Sequence, residues 1–149
     1  MSSKLSVEEF ILLLLNSNGK RKISGKLCFQ KEMFLVVKEI CPDLDIDLNF
    51  EPYYYGPFSK NLASLLDYLE SNSLIDVERY QDTCIYSITE KGVEKLSDLE
   101  VSDDILRKIE NLKFGANKLG YKGLLRYVYF NYPEYTKNSK IKDKVFGDN

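Results

Sequence analysis

The chain has 149 residues, with 21 basic and 23 acidic side chains, three cysteines and no histidine. Such a length fits one domain that buries roughly 70% of its unfolded surface without a disulfide or metal staple. Without imidazole or a paired-cysteine motif, Ser-His and Cys-His nucleophiles and the usual zinc ligand sets are excluded, so neither an enzyme nor a cofactor is expected.

Cys28, Cys41 and Cys84 each sit in an apolar run, which suits buried thiols in a reducing compartment. The longest apolar run, Phe10 to Leu15, is far short of the ~20 residues a membrane span needs, and no small-residue cleavage site follows it. A cytoplasmic protein with no membrane partner is therefore expected. Charge is unevenly spread. Residues 105–149 carry ten basic and four acidic side chains, a net of +6, which leaves −8 for residues 1–104 out of the total of −2. That polarity suits a DNA footprint at one end or an electrostatic contact between two copies of the chain.

In chain order, Ser6 caps a first helix that has Glu8 and Glu9 in its first turn and Phe10, Leu13 and Leu14 at helical spacing. It stops at Asn16-Ser17-Asn18-Gly19, and the basic turn Lys20-Arg21-Lys22 follows. A second helix begins near Ser24, carries Leu27, Met33, Phe34, Val37 and Ile40 on its apolar face, and ends at Cys41-Pro42. Between Pro42 and Pro57, the acids Asp43, Asp45, Asp47 and Glu51 alternate with Leu44, Ile46, Leu48 and Phe50. That period of two predicts a half-exposed strand or an extended lid. The acids lack the glycine and distant glutamate of a calcium loop, so no metal site is implied.

The third helix starts at Pro57 or Phe58 with Ser59 as a candidate cap, and Leu62, Leu65, Leu66 and Leu69 form its core stripe. Lys60, Asn61, Ser64, Asp67, Tyr68 and Ser71 are left facing outward. Asn72-Ser73 breaks this helix, two strands flank a turn at Gln81-Asp82, and Thr89 opens a further helix to about Leu99. Ser102 caps another, with Ile105, Ile109, Leu112 and Ala116 on its stripe and Gly115 and Gly120 loosening it. Leu124, Leu125, Val128 and Tyr132 mark a last helix, which Pro133 stops. Thr136 to Asn149 is lysine-rich and reads as a short helix or a frayed tail. The fold class is mainly α with a small β-ribbon: a winged helix-turn-helix over 1–99 with an insertion at 42–57, and a helical extension with a basic tail over 100–149.

Two stretches carry a family likeness. FSKNLASLLDYLESNSLI followed by YSITEKGVEKL resembles the winged helix of the MarR and PadR repressor families, with Ser73 in place of the glycine of their Gly-Leu-Ile turn and Ile88 in place of a leucine. KLCFQKEMFLV (26–36), FEPYYYGPFS (50–59) and YVYFNYPEYTKNSKI (127–141) are similar to a group of uncharacterised prokaryotic and phage-associated proteins, and more faintly to Panacea-type antitoxin domains. The second likeness draws attention to Gln30, Lys31, Tyr55 and Ser59, and it points to a protein partner as readily as to DNA.

Two functions from different classes follow. In the first, the chain is a winged-helix transcriptional regulator that binds double-stranded DNA as a homodimer through its C-terminal helices. Lys60, Asn61, Ser64 and Tyr68 then enter the major groove, Arg79 on the wing reaches the backbone or minor groove, and Lys20, Arg21, Lys22 and Lys26 grip phosphate. Against it, Asp67 shares that helix face and no arginine, the commonest guanine reader, stands there. In the second, an antitoxin-like or phage-defence accessory factor keeps the fold without binding DNA and contacts a protein partner. The rings of Tyr53, Tyr54 and Tyr55, beside Gly56-Pro57, are expected to pack on the core rather than to stack bases. Tyr127, Tyr129, Phe130, Tyr132 and Tyr135 are expected in the core or at a dimer contact.

Overall fold

The computed structural model describes residues 4–139. The first helix, α1 (Val7–Lys20), opens on a capping box in which Ser6 Oγ accepts from Glu9 N at 3.1 Å and Glu9 Oε1 accepts from Ser6 N at 2.8 Å. Helical dihedrals stop at Ser17, where the turn residues of the sequence begin. Phe10 through Leu15 are all buried, so α1 is enclosed on every side rather than along one stripe.

A two-residue strand, β1 (Ile23–Ser24), follows where the sequence predicts the start of a helix. Gly25 turns the chain at a φ of 99° and donates its N–H to Cys84 O at 2.7 Å, and α2 (Lys26–Glu39) begins one residue later. Glycine fits here because that backbone angle penalises any Cβ. β1 is too short to be read from periodicity. It exists because Ile23 and Ser24 pair with Tyr86 and Ile85.

The region from Pro42 to Asn49 is helical, not extended. A 3-10 turn over Pro42–Leu44 runs into the short α3 (Asp45–Leu48), with Asn49 in a left-handed cap. The period-two apolar pattern also contains an i, i+4 pair, Leu44 and Leu48, and those two side chains are buried while Ile46 between them is 83% exposed. A hairpin then forms from β2 (Glu51–Tyr53) and β3 (Gly56–Phe58), with Glu51 opposite Phe58 and Tyr53 opposite Gly56.

Ser59 caps α4 (Lys60–Ser71), accepting from Leu62 N at 2.9 Å. Leu62, Leu66 and Leu69 are buried and Leu65 is half-buried, as the leucine spacing requires. Ser73 takes the left-handed position after the helix, with φ 61°, and Leu74 N reaches back to Leu69 O at 3.0 Å in a six-residue closing turn. β4 (Ile75–Tyr80) and β5 (Thr83–Ile88) form the antiparallel ribbon, with β1 on its other edge in the order β1-β5-β4. Thr89 caps α5 (Glu90–Ser97) through Gly92 N, and Ser102 caps α6 (Asp103–Asn131), which kinks at Gly120.

The fold is thus mainly α with a small antiparallel sheet. Its longer elements run helix, short strand, helix, helix and hairpin, with residues 42–58 between α2 and α4. α2 lies at the centre. α6 packs along both α1 and α2, and the inserted hairpin packs on α2 through β3. Lys140, Lys142 and Lys144 of the basic tail lie outside the described residues.

Candidate functional site: the inserted hairpin and the neighbouring helix face

The residues expected at DNA are exposed on α4 and the ribbon, yet several already hold partners within the chain. Lys60, Asn61, Ser64, Asp67 and Tyr68 face solvent. Asn61 Nδ2 donates to Asp47 O at 2.6 Å, which ties the start of α4 to α3, and Lys60 Nζ lies 6.0 Å from the centre of the Tyr53 ring. Arg79 forms a two-pronged pair with Glu70, at 2.8 and 2.9 Å. The guanidinium holds the Glu70 carboxyl below its ordinary range, while the carboxylate pushes Arg79 further up. Lys22 pairs with Glu78 at 3.0 Å. Lys20, Arg21 and Lys26 are exposed with no ion pair among the described residues.

The insertion is built differently: buried polar side chains of the body hold it in place. Gln30, buried in α2, takes both backbone groups of Ser59, accepting from its N–H at 2.8 Å and donating to its carbonyl at 3.0 Å. Ser59 Oγ, also buried, donates to Leu48 O at 2.6 Å while it caps α4. Lys31 is 1% exposed and donates from Nζ to the carbonyl of Tyr55 at the hairpin turn. Gly56 has a φ of 92°, and a Cβ there would lie 3.0 Å from the Tyr129 ring, so glycine lets the hairpin close down on α6. Phe34 packs edge-on against Phe50, Tyr132 and Tyr135, at centroid distances of 4.8 to 5.3 Å. Asn138 Nδ2 reaches Pro52 O at 3.4 Å. The stretches 26–36, 50–59 and 127–139, far apart in sequence, meet here.

This arrangement corrects the expectation for the tyrosines. Gly56 and Pro57 take the buried positions, and Tyr53, Tyr54 and Tyr55 are 38%, 52% and 43% exposed at the hairpin tip. Tyr53 stacks on Phe58 at 5.2 Å instead of entering the core. Among the C-terminal aromatics, Tyr129 is fully buried and Phe130 is 77% exposed. The cysteines also depart from expectation, since Cys84 alone is buried and Cys28 and Cys41 are half-buried.

A second group of buried charges has no signal in the sequence. Glu32 and Lys113 are buried, and Lys113 Nζ donates to Leu15 O at 3.1 Å and Ser17 O at 2.9 Å, closing the free carbonyls at the end of α1. Glu32 Oε1 has no hydrogen-bond partner among the described residues. Burial pushes the Glu32 carboxyl up to about 7, partly offset by the Lys113 ammonium, and burial pushes Lys113 down to about 8. Lys113 sits among Ile109, Leu112 and Ala116, where an apolar residue would continue the stripe. No family model and no curated protein matches this chain.

Proposed function

We propose that the protein is an interaction module that keeps a winged-helix body and contacts a protein partner through residues 42–58. The observation that carries this reading is the mounting of the insertion. Four buried side chains of the body and of its own base, Gln30, Lys31, Phe34 and Ser59, hold it so that Ile46, Tyr54 and Tyr55 face solvent. A rigid aromatic surface loses little side-chain entropy on binding, and tyrosine is enriched at protein interfaces for that reason.

The face of α4 supports DNA contact less well. Phosphate binding needs cations that are free to replace counterions. Arg79 and Lys22 face carboxylates, Asn61 is tied to the insertion, and Asp67 shares the exposed side of α4 with its one lysine, Lys60.

A photo-cross-linking side chain placed at position 54, expressed in the native host, tests the proposal against the same probe at position 64. Protein adducts from position 54 that disappear with Ile46→Asp, and none from position 64, are expected. Adducts from 64 alone would contradict the reading. The second reading, a DNA-binding homodimer, draws on the exposed Ser64 and Tyr68 beside the ribbon and on exposed Leu106, Phe114, Leu119 and Phe130 along α6. Retention of duplex DNA at low salt would favour it.

A further inference from the structure

Between the first turn of α2, the side of α4 that carries Asp67 and the inner face of the ribbon lies a cavity of about 190 Å³. Val77 stands opposite Tyr86 across the ribbon, and with Leu66 of α4 and Phe58 of β3 they give the cavity an apolar floor. The charged and amide side chains on its wall are Lys26 and Gln30 of α2, Asp67 of α4 and Arg79 of β4. Two of these four are already engaged: both ends of the Gln30 amide are bound to Ser59, and the Arg79 guanidinium is forked on Glu70. Lys26 and Asp67 make no hydrogen bond or ion pair among the described residues. The Asp67 carboxylate acts on both the Tyr86 hydroxyl and the Arg79 guanidinium, so it lies on the cavity side of its helix. Since Glu70 offsets Arg79, one negative charge is left on the α4 wall and one positive charge on the α2 wall.

We infer that this cavity binds a free α-amino acid with an apolar side chain of leucine or phenylalanine size, its ammonium on Asp67, its carboxylate on Lys26 and its side chain on Phe58, Leu66 and Val77. Small-molecule sites have this composition, an apolar lining with a few polar groups that fix orientation. The volume sets the size: a cavity of roughly 150 Å³ holds benzene, so one ring or branched side chain fills the floor. The charged head then stays at the mouth, where Lys26 and Asp67 are exposed. A ligand with a single charge leaves one of the two walls unmatched, so the opposed charges are the selective element. Phe58 is the one lining residue that belongs to the insertion, and the inference therefore does not depend on a protein partner at 42–58.

The test titrates the intact chain with L-leucine and with three analogues: N-acetyl-leucine without the ammonium, leucinamide without the carboxylate, and glycine without the side chain. Amide resonances of Ala63, Asp67 and Val77 report binding. Leucine is expected to bind near about 1 mM, as small fragments do, and each analogue at least about tenfold more weakly. Both charged residues are exposed, so their variants keep the fold and separate the two contacts. Asp67→Asn is expected to lower the affinity for leucine to that for N-acetyl-leucine, and Lys26→Gln to lower it to that for leucinamide. Equal affinity of the native chain for leucine and its two singly charged analogues, shifts confined to other residues, or variants that bind leucine as the native chain does would each overturn the inference.

Discussion

The exposed face of α4 and the inserted hairpin are adjacent, and they are held in opposite ways. On α4 and the ribbon beside it, the side chains that reach outward make exposed contacts, such as Arg79 of β4 with Glu70 of α4 and Lys22 with Glu78 of β4, and contacts of this kind contribute little to stability. Under the hairpin, the contacts are buried and each satisfies a group that would otherwise be left without a partner, as Gln30 does for both backbone groups of Ser59. The difference teaches that one of the two groups of buried polar side chains, Gln30, Lys31 and Ser59, fixes residues 42–58, while the exposed face of α4 is left to ordinary surface pairing.

That contrast is open to mutation, and the largest effect should come from the aromatic anchor. Phe34→Ala removes a fully buried ring that touches Phe50, Tyr132 and Tyr135, and should cost about 3–5 kcal/mol in a urea unfolding curve. A cost near that of a surface change would break the comparison at once. Gln30→Ala should follow, at roughly 2–4 kcal/mol, because it strands a buried N–H and a buried carbonyl on Ser59. If the same experiment with Ser64→Ala gave an equal loss, the two regions would not differ as described.

Glu32→Gln sharpens the picture by pH. With its carboxyl pushed up to about 7, folded Glu32 keeps a proton that the unfolded chain releases above its ordinary value of 4.5. The native chain therefore loses stability as pH rises from about 4.5 to 7, by an amount on the order of 3 kcal/mol, and this loss is complete above 7. Lys31 and Lys113, each pushed down to about 8, act in the opposite sense: the unfolded chain binds their protons more tightly, so stability recovers as pH rises above 8. Glu32→Gln should gain more stability relative to the native chain at pH 7.5 than at pH 4.5. An identical difference at both values would mean that Glu32 is not held as a buried carboxyl.

Gly56→Ala should cost about 1–3 kcal/mol, from the left-handed backbone angle and the 3.0 Å approach to Tyr129. The smallest effect belongs to Arg79→Ala, where the exposed pair with Glu70 leaves thermal stability close to that of the native chain.

Much of this architecture was legible because helix caps are local. Ser6, Ser59, Thr89 and Ser102 each accept from a backbone N–H three residues on, as their positions before apolar runs imply. Leu62, Leu66 and Leu69 read correctly for the same reason: one helical period decides their face. What was not legible depends on contacts distant in sequence. β1 forms because Tyr86 and Ile85 lie opposite it, and the segment 43–48 is helical because Leu44 and Leu48 find the core while Ile46 does not. Nothing local announces that Gln30, Lys31 and Glu32 are buried, since α2 becomes enclosed only when the hairpin and α6 close around it. The tyrosine triplet misled in the same way: its exposure follows from Gly56 and Pro57 taking the inner positions.

Fluorescence anisotropy of labelled duplex DNA titrated with the protein at ~50 mM salt, where phosphate contact is strongest, tests the contrast between the two regions most directly. No saturable binding is expected, and the same flat titration for a Lys60→Ala, Asn61→Ala double variant. Tight, salt-sensitive binding by the native chain that the double variant loses would contradict it and return the working surface to α4.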